Sequence, residues 1–292
     1  MARLDADRKA VAGPIIVLSL AVVYLLVVPL QATDEADGRL RRTVPLAADG
    51  RVEIELFAGS VEVGAWDRSE VEIEARWGGG DLRPDIEGDS RILQLESRTG
   101  GAPGWTQFTL RLPRAAQLEV DSVTGSIEVD GLRGALDLES VSGALTLRVA
   151  SPRIAIEAVT GALDLEIQAG APPARLEVES VSGPIRLAGA FDDVDLESVN
   201  GRVTLDVRRA RRLAVETVSG RVVGTVEPAD GTTIDIESHA GAIDLTLPDG
   251  FAGLVDLSSI VGRVATDFPA DGGGAGVVRL ESWSGSVRLR RR

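Results

Sequence analysis

The chain has 292 residues, of which 44% are hydrophobic but only 3% aromatic, with no cysteine and a formal net charge of −14. So acidic a balance offers no basic footprint for a phosphate backbone, and nucleic acid is not an expected partner. The lack of cysteine excludes disulfides and thiolate metal sites, and any core has to be built from Val, Leu, Ile and Ala.

Residues 1–10 carry Arg3, Arg8 and Lys9 and read as a short cytoplasmic tail. Lys9 is the one lysine among 31 basic residues, a composition bias read as bacterial. Residues 11–30 are an apolar run without a charge. At 1.5 Å per residue the run reaches about 30 Å, a bilayer core, so a single transmembrane helix is expected. The basic flank before it, and Asp34, Glu35 and Asp37 after it, place the N-terminus inside and the rest outside the cytoplasmic membrane, extracellular or periplasmic. A cleaved signal peptide is the rival reading, but the apolar part is long and Leu30-Gln31-Ala32 fits a small-x-small site poorly. Residues 31–43 read as a polar linker.

Over 44–113 the pattern is strand-like but irregular. Val52, Ile54 and Leu56 alternate with Glu53 and Glu55, and Val71 and Ile73 with Glu70, Glu72 and Glu74. Phe108, Leu110 and Leu112 run into Pro113. Period-two alternation argues for half-buried strands, broken at Gly78, Gly79 and Gly80 and again between Gly100 and Gly104. This part is expected to be a β cap over one end of the repeats in the second half of the chain.

Over 114–292 one phrase recurs nine times, as in Glu139-Ser140-Val141-Ser142-Gly143. Its glycines are Gly125, Gly143, Gly161, Gly183, Gly201, Gly220, Gly241, Gly262 and Gly285, separated by 18 to 23 residues. A period near twenty signals one structural unit stacked on the next. Seven and five positions before each glycine, and two after it, every residue is aliphatic, from Leu118, Val120 and Ile127 to Val278, Leu280 and Val287. Spacing by two puts each set on one face of a strand, and the glycine supplies the bend between two strands. The expected fold is an all-β parallel β-solenoid, β-helix-like, of about nine regular coils over 114–292 with the irregular cap at 44–113, preceded by the transmembrane helix. Arg288, Arg290, Arg291 and Arg292 would put charge on its last edge. A β-sandwich accommodates the short strands but does not require one residue column nine times.

The phrase E-S-V-S-G-x-aliphatic-x-Leu resembles the bacterial putative-adhesin family, a β-strand-repeat domain of unknown function. Gly59-Ser60-Val61-Glu62-Val63, Ala65-Trp66-Asp67, Glu70 to Ala75 and Leu112-Pro113 extend the resemblance over roughly 44–290. It implies an envelope protein without established catalysis.

Candidate chemistry is sparse. Four positions before the glycine stand Asp121, Glu139, Glu157, Glu179, Glu197, Glu216, Glu237 and Glu281, interrupted in chain order by Ser258. This column is expected to face solvent, either as a solubilising surface or as a weak Ca²⁺ site, since hard cations take several carboxylate oxygens. The Ser and Thr that come next in the phrase (Ser122, Ser140, Ser180, Ser198, Thr217, Ser238, Ser259 and Ser282) are expected to bond the bend backbone. His239, the one histidine, replaces a repeat valine and is read as packing rather than as a base. Trp66, Trp77 and Trp105 are expected in the cap core and Trp283 capping the last coil. No catalytic, cofactor-binding or metal-binding residue is assigned. The expected role is adhesion, scaffolding or envelope sensing through a protein or glycan partner. The alternative is a carbohydrate-active enzyme, a polysaccharide lyase or hydrolase, which would show one clustered pocket of mixed charge instead of a uniform face.

Overall fold

A period-two sequence becomes a strand when a neighbour takes up its backbone bonds, and here that neighbour is another repeat. The computed structural model describes residues 33–35, 38–79, 84–97, 104–169, 171 and 174–292. In chain order the strands are β1 (Thr33–Glu35), β2 (Arg39–Pro45), β3 (Arg51–Trp66), β4 (Glu70–Gly78), β5 (Pro84–Gly88), β6 (Ile92–Ser97) and β7 (Trp105–Pro113). Next come β8 (Gln117–Asp130), β9 (Leu136–Ser142), β10 (Leu145–Val149), β11 (Arg153–Thr160), β12 (Leu163–Ile167), β13 (Ala174–Ser182) and β14 (Ile185–Asn200). The last are β15 (Val203–Ser219), β16 (Val222–Ala240), β17 (Ile243–Leu247), β18 (Gly253–Val261), β19 (Val264–Thr266), β20 (Gly276–Ser284) and β21 (Val287–Arg291).

Successive repeats pair in parallel and in register, so that Leu176 lies beside Val194, Val178 beside Leu196 and Glu179 beside Glu197. The architecture nonetheless corrects the expected open solenoid of nine coils. Strands β8, β9, β11, β13, β14, β12 and β10 pair in a ring and close a seven-stranded parallel β-barrel. Closure arises because β8 and β14 each run on through a bend and so belong to both sides. The other strands lie outside this ring. The described residues contain no helix, and none long and apolar enough to cross a membrane. The transmembrane helix expected over 11–30 lies outside the described residues.

The stacking order departs from the chain order at both ends. On the N-terminal side, β3 pairs with β8 along its length, placing Gly59 beside Gly125, so residues 51–66 form a further layer in the repeat register. Strands β6 and β7 take the other edge of β3, so the later segment lies outside the earlier one. Antiparallel strands then cover that end, β4 on β7, β2 on β4 and β5 on β6. Strand β2 begins at Arg39, inside the stretch read as linker. On the C-terminal side, β20 inserts between β16 and β18, and β21 between β17 and β19. The arginines of β21 are therefore interior to the stack and not on its edge. Arg290 reaches Asp244 at 3.1 Å and Arg292 reaches Glu227 at 2.9 Å. The edge belongs to β18 and β19.

The aliphatic columns form one continuous core. All but two of their residues are buried, and the exceptions, Leu257 and Val264, lie in that edge layer, which has no further layer to cover it. The glycine column is required by close approach. A Cβ at Gly183 would sit 1.7 Å from the carbonyl oxygen of Gly161, and one at Gly285 2.0 Å from that of Gly241. Each repeat glycine thus lies against the glycine of the layer beside it, in spatial order and not in chain order.

Candidate functional site

Strand parity decides which repeat residues meet solvent. With the positions seven and five before the glycine inside, the position three before also points inward, and those six, four and two before point out. The outward pair nearest the bend is the carboxylate and the valine of the phrase, and together they make the longest continuous feature of the surface.

The position two before the glycine forms an exposed apolar stripe. In stacking order it reads Phe57, Val123, Val141, Val159, Val181, Val199, Val218, His239, Trp283 and Ile260. Eight of these are 42% to 67% exposed, Val159 is half-buried and His239 is exposed. At about 4.8 Å per layer, ten rungs extend about 43 Å. Insertion of β20 brings Trp283 onto His239, the rings stacking at 5.3 Å with 21° between their planes. Trp283 therefore does not cap the end as expected. Trp105 is half exposed, not in a cap core, while Trp77 packs partly buried against the core and the Trp66 indole donates to the Glu70 carbonyl at 2.8 Å.

Beside the stripe runs the carboxylate column. Its order in space is Glu55, Asp121, Glu139, Glu157, Glu179, Glu197, Glu216, Glu237 and Glu281, with Ser258 at the far end. The lapse at Ser258 is thus at the edge, and Glu237 and Glu281 are direct neighbours. From Asp121 to Glu237 none makes an ion pair among the described residues. Carboxylates of the next column out do find arginines, Glu119 with Arg51 at 3.2 Å, Asp195 with Arg212 at 3.2 Å and Asp235 with Arg279 at 3.4 Å. Crowding by surrounding residues, then the charge of Glu139, pushes the Asp121 carboxyl up to about 6 although its outer face is exposed. Glu139 and Glu179 are raised by burial and by Glu157, and Glu237 by burial and by Asp235.

Between stripe and column in the sequence, but pointing inward by parity, lies the hydroxyl row. Ser282 donates to the Gly241 carbonyl at 3.0 Å and Ser259 to that of Gly285 at 2.8 Å, as expected of bend-bonding residues. Ser122, Ser140, Ser198, Thr217 and Ser238 are at most 5% exposed, yet their hydroxyls make no hydrogen bond among the described residues. Carboxylates, hydroxyls and stripe from Glu139 to Trp283, with Ile260, line one groove of about 580 Å³. Among the described residues no group of three or more His, Asp or Glu is placed to hold a metal ion. A second hollow of about 410 Å³ on another face is lined by Asp164, Glu166, Arg186, Asp206 and Arg208, with Arg186 paired to Asp164 at 3.6 Å.

The carboxylates and hydroxyls were visible as columns in the sequence. The stripe was missed, although its signal was present: the third letter of the phrase is apolar at a position whose parity points outward.

No protein-family model matches the chain, and no curated protein does. Solved structures do. It is similar to a putative adhesin from Bacteroides fragilis, with 10% identity over 88% of this chain and 98% of that one, at a TM-score of 0.37. It is similar also to a putative lipid binding protein from Parabacteroides distasonis, with 10% identity over 87% and 97%, at 0.42. A putative cell adhesion protein from Clostridium sporogenes matches with 10% identity over 87% and 100%, at 0.21. At TM-scores below 0.5 none of these likenesses bears on what the groove does.

Proposed function

We propose that the protein is a non-catalytic, adhesion-like recognition module that engages an elongated partner along the acid-flanked stripe. The observation that carries this reading is the stripe itself. A ten-rung row, apolar at nine rungs and with eight of those exposed, is far larger than the scattered apolar residues of an ordinary surface, and such patches mark interaction sites. It is uniform over its length, which suits an extended contact better than one reaction centre. The apolar run 11–30 with its basic flank supports display of the β domain outside the cytoplasm.

The enzyme reading has its best place in the second hollow, whose charges are mixed. Its carboxylates are the residue type a glycoside hydrolase uses, with Asp164 paired to Arg186, and the chain's one histidine stands in the stripe, stacked on Trp283.

A photoreactive residue at Val199 in the full chain, compared with one at Arg153 off the stripe, tests the reading in intact cells of the source organism. Cross-links to partners are expected from position 199 and not from 153. Equal yields, or turnover of a polysaccharide by the purified chain, would sink it. Display is checked by protease access in intact cells, where digestion of the β domain only after lysis would be the contrary result.

A further inference from the structure

The structure assigns the groove a class of occupant: a basic amphipathic polypeptide segment. This deepens the recognition reading above and rests on it. Three observations converge. First, six successive carboxylates, Glu139 to Glu237, line the groove side by side with no ion pair among the described residues, while Glu119, Asp195 and Asp235 of the neighbouring column each have an arginine. A row of cations fits this line as no neutral or acidic ligand does. Second, the stripe lies parallel to that line along the groove, so the cations have to be carried on a molecule with a continuous apolar side. A bare polyamine lacks one, and an anionic lipid surface is repelled. Third, carboxylate and apolar side chain recur together in every layer from Glu139 and Val141 to Glu216 and Val218. A polypeptide repeats cationic and apolar side chains along its length, and an alkyl chain with one headgroup does not. The His239–Trp283 stack, which exists only because β20 inserts beside β16, adds an aromatic step near one end of the line.

The test titrates the full chain with four labelled probe peptides of about 20 residues: leucine and lysine at amphipathic helical spacing, the same with glutamate for lysine, the same with glutamine, and a lysine peptide without leucine. The leucine–lysine peptide is expected to bind at least ten times more tightly than each of the others, and less tightly as salt rises. Two double variants separate the contributions. Val181→Ser with Val199→Ser and Glu179→Gln with Glu197→Gln should each weaken binding at least ten-fold without a large loss of melting temperature, because these side chains lie on the outer face. Equal binding of the glutamine or glutamate peptide overturns the cationic class, and equal binding of the leucine-free peptide overturns the amphipathic one. Binding that neither double variant weakens places the peptide elsewhere and overturns the site. If no peptide binds while position 199 still cross-links, the occupant class fails and the recognition reading survives. If position 199 does not cross-link either, both fail.

Discussion

At the residue scale, the repeat glycine and its carboxylate act in opposite senses on stability. Gly183 sits where a methyl group would enter the Gly161 carbonyl, on backbone with φ of 139°. Gly183→Ala is therefore expected to cost roughly 2–4 kcal/mol, from overpacking and left-handed strain together, and thermal unfolding should show it as a clear drop. The carboxylates give a pH dependence of unusual sign. A carboxyl whose folded value is raised binds its proton more tightly in the folded state, so stability falls as pH rises through its window. For Asp121 that window ends near 6, and Glu139, Glu179 and Glu237 shift in the same direction. Asp67, held down by a hydrogen bond from Arg114, and Glu74, held down by Arg76, contribute stability that is lost only as pH falls below the ordinary carboxylate range. Melting temperature is thus expected to rise as pH is lowered from 7 to 5 before acid unfolding begins. A monotonic fall over that interval would contradict the raised column.

At the element scale, what matters is which strand is an edge. Strand β20 is bonded on both sides, by β16 and β18, although it lies near the end of the chain. Strand β18 is bonded along its length on one side only, and leaves Leu254, Ile260 and Val261 exposed. Protection from hydrogen exchange tracks bonding and cover rather than distance from the terminus. Amides of β20 should exchange more slowly than those of β18, and the reverse order, measured by mass spectrometry or NMR, would refute the insertion. The N-terminal end differs because β2, β4 and β5 cover it in antiparallel fashion. Edges are usually protected in such ways. Residues 51–66 lie within the stretch 44–113 read as an irregular cap, yet they pair in the repeat register. Phe57 stands where most repeats have valine, and a long excursion through β4 and β5 separates this layer from the next, which hides Gly59 from a count of spacings.

At the scale of the whole molecule, a charge of −14 is arranged largely in rows along one direction. Neighbouring unit charges about 4.8 Å apart repel by about 0.9 kcal/mol in bulk water, and the Debye length shrinks from about 30 Å at 0.01 M salt to about 8 Å at 0.15 M. Raising sodium chloride over that range is expected to raise the melting temperature by a few degrees. No change would mean that the rows are already neutralised. Continuous backbone pairing and the buried aliphatic columns hold the stack together against this repulsion. The same unrelieved charge is what a cationic partner would relieve.

Parity, composition and the glycine column were determined by the sequence alone, because strand alternation and steric exclusion are local. They dictate the buried columns, the outward carboxylates and the parallel pairing of equivalent repeats. The order of the layers was decided only by the tertiary structure. Every repeat offers its neighbours nearly the same edge, so register is specified by the columns while the identity of the neighbour is not. At the C-terminal side the insertion of β20 and β21 makes that choice. The order of the layers sets Glu237 beside Glu281 and His239 against Trp283, moves Ser258 to the margin and closes the seven-stranded ring, and so turns a repeated phrase into one continuous groove.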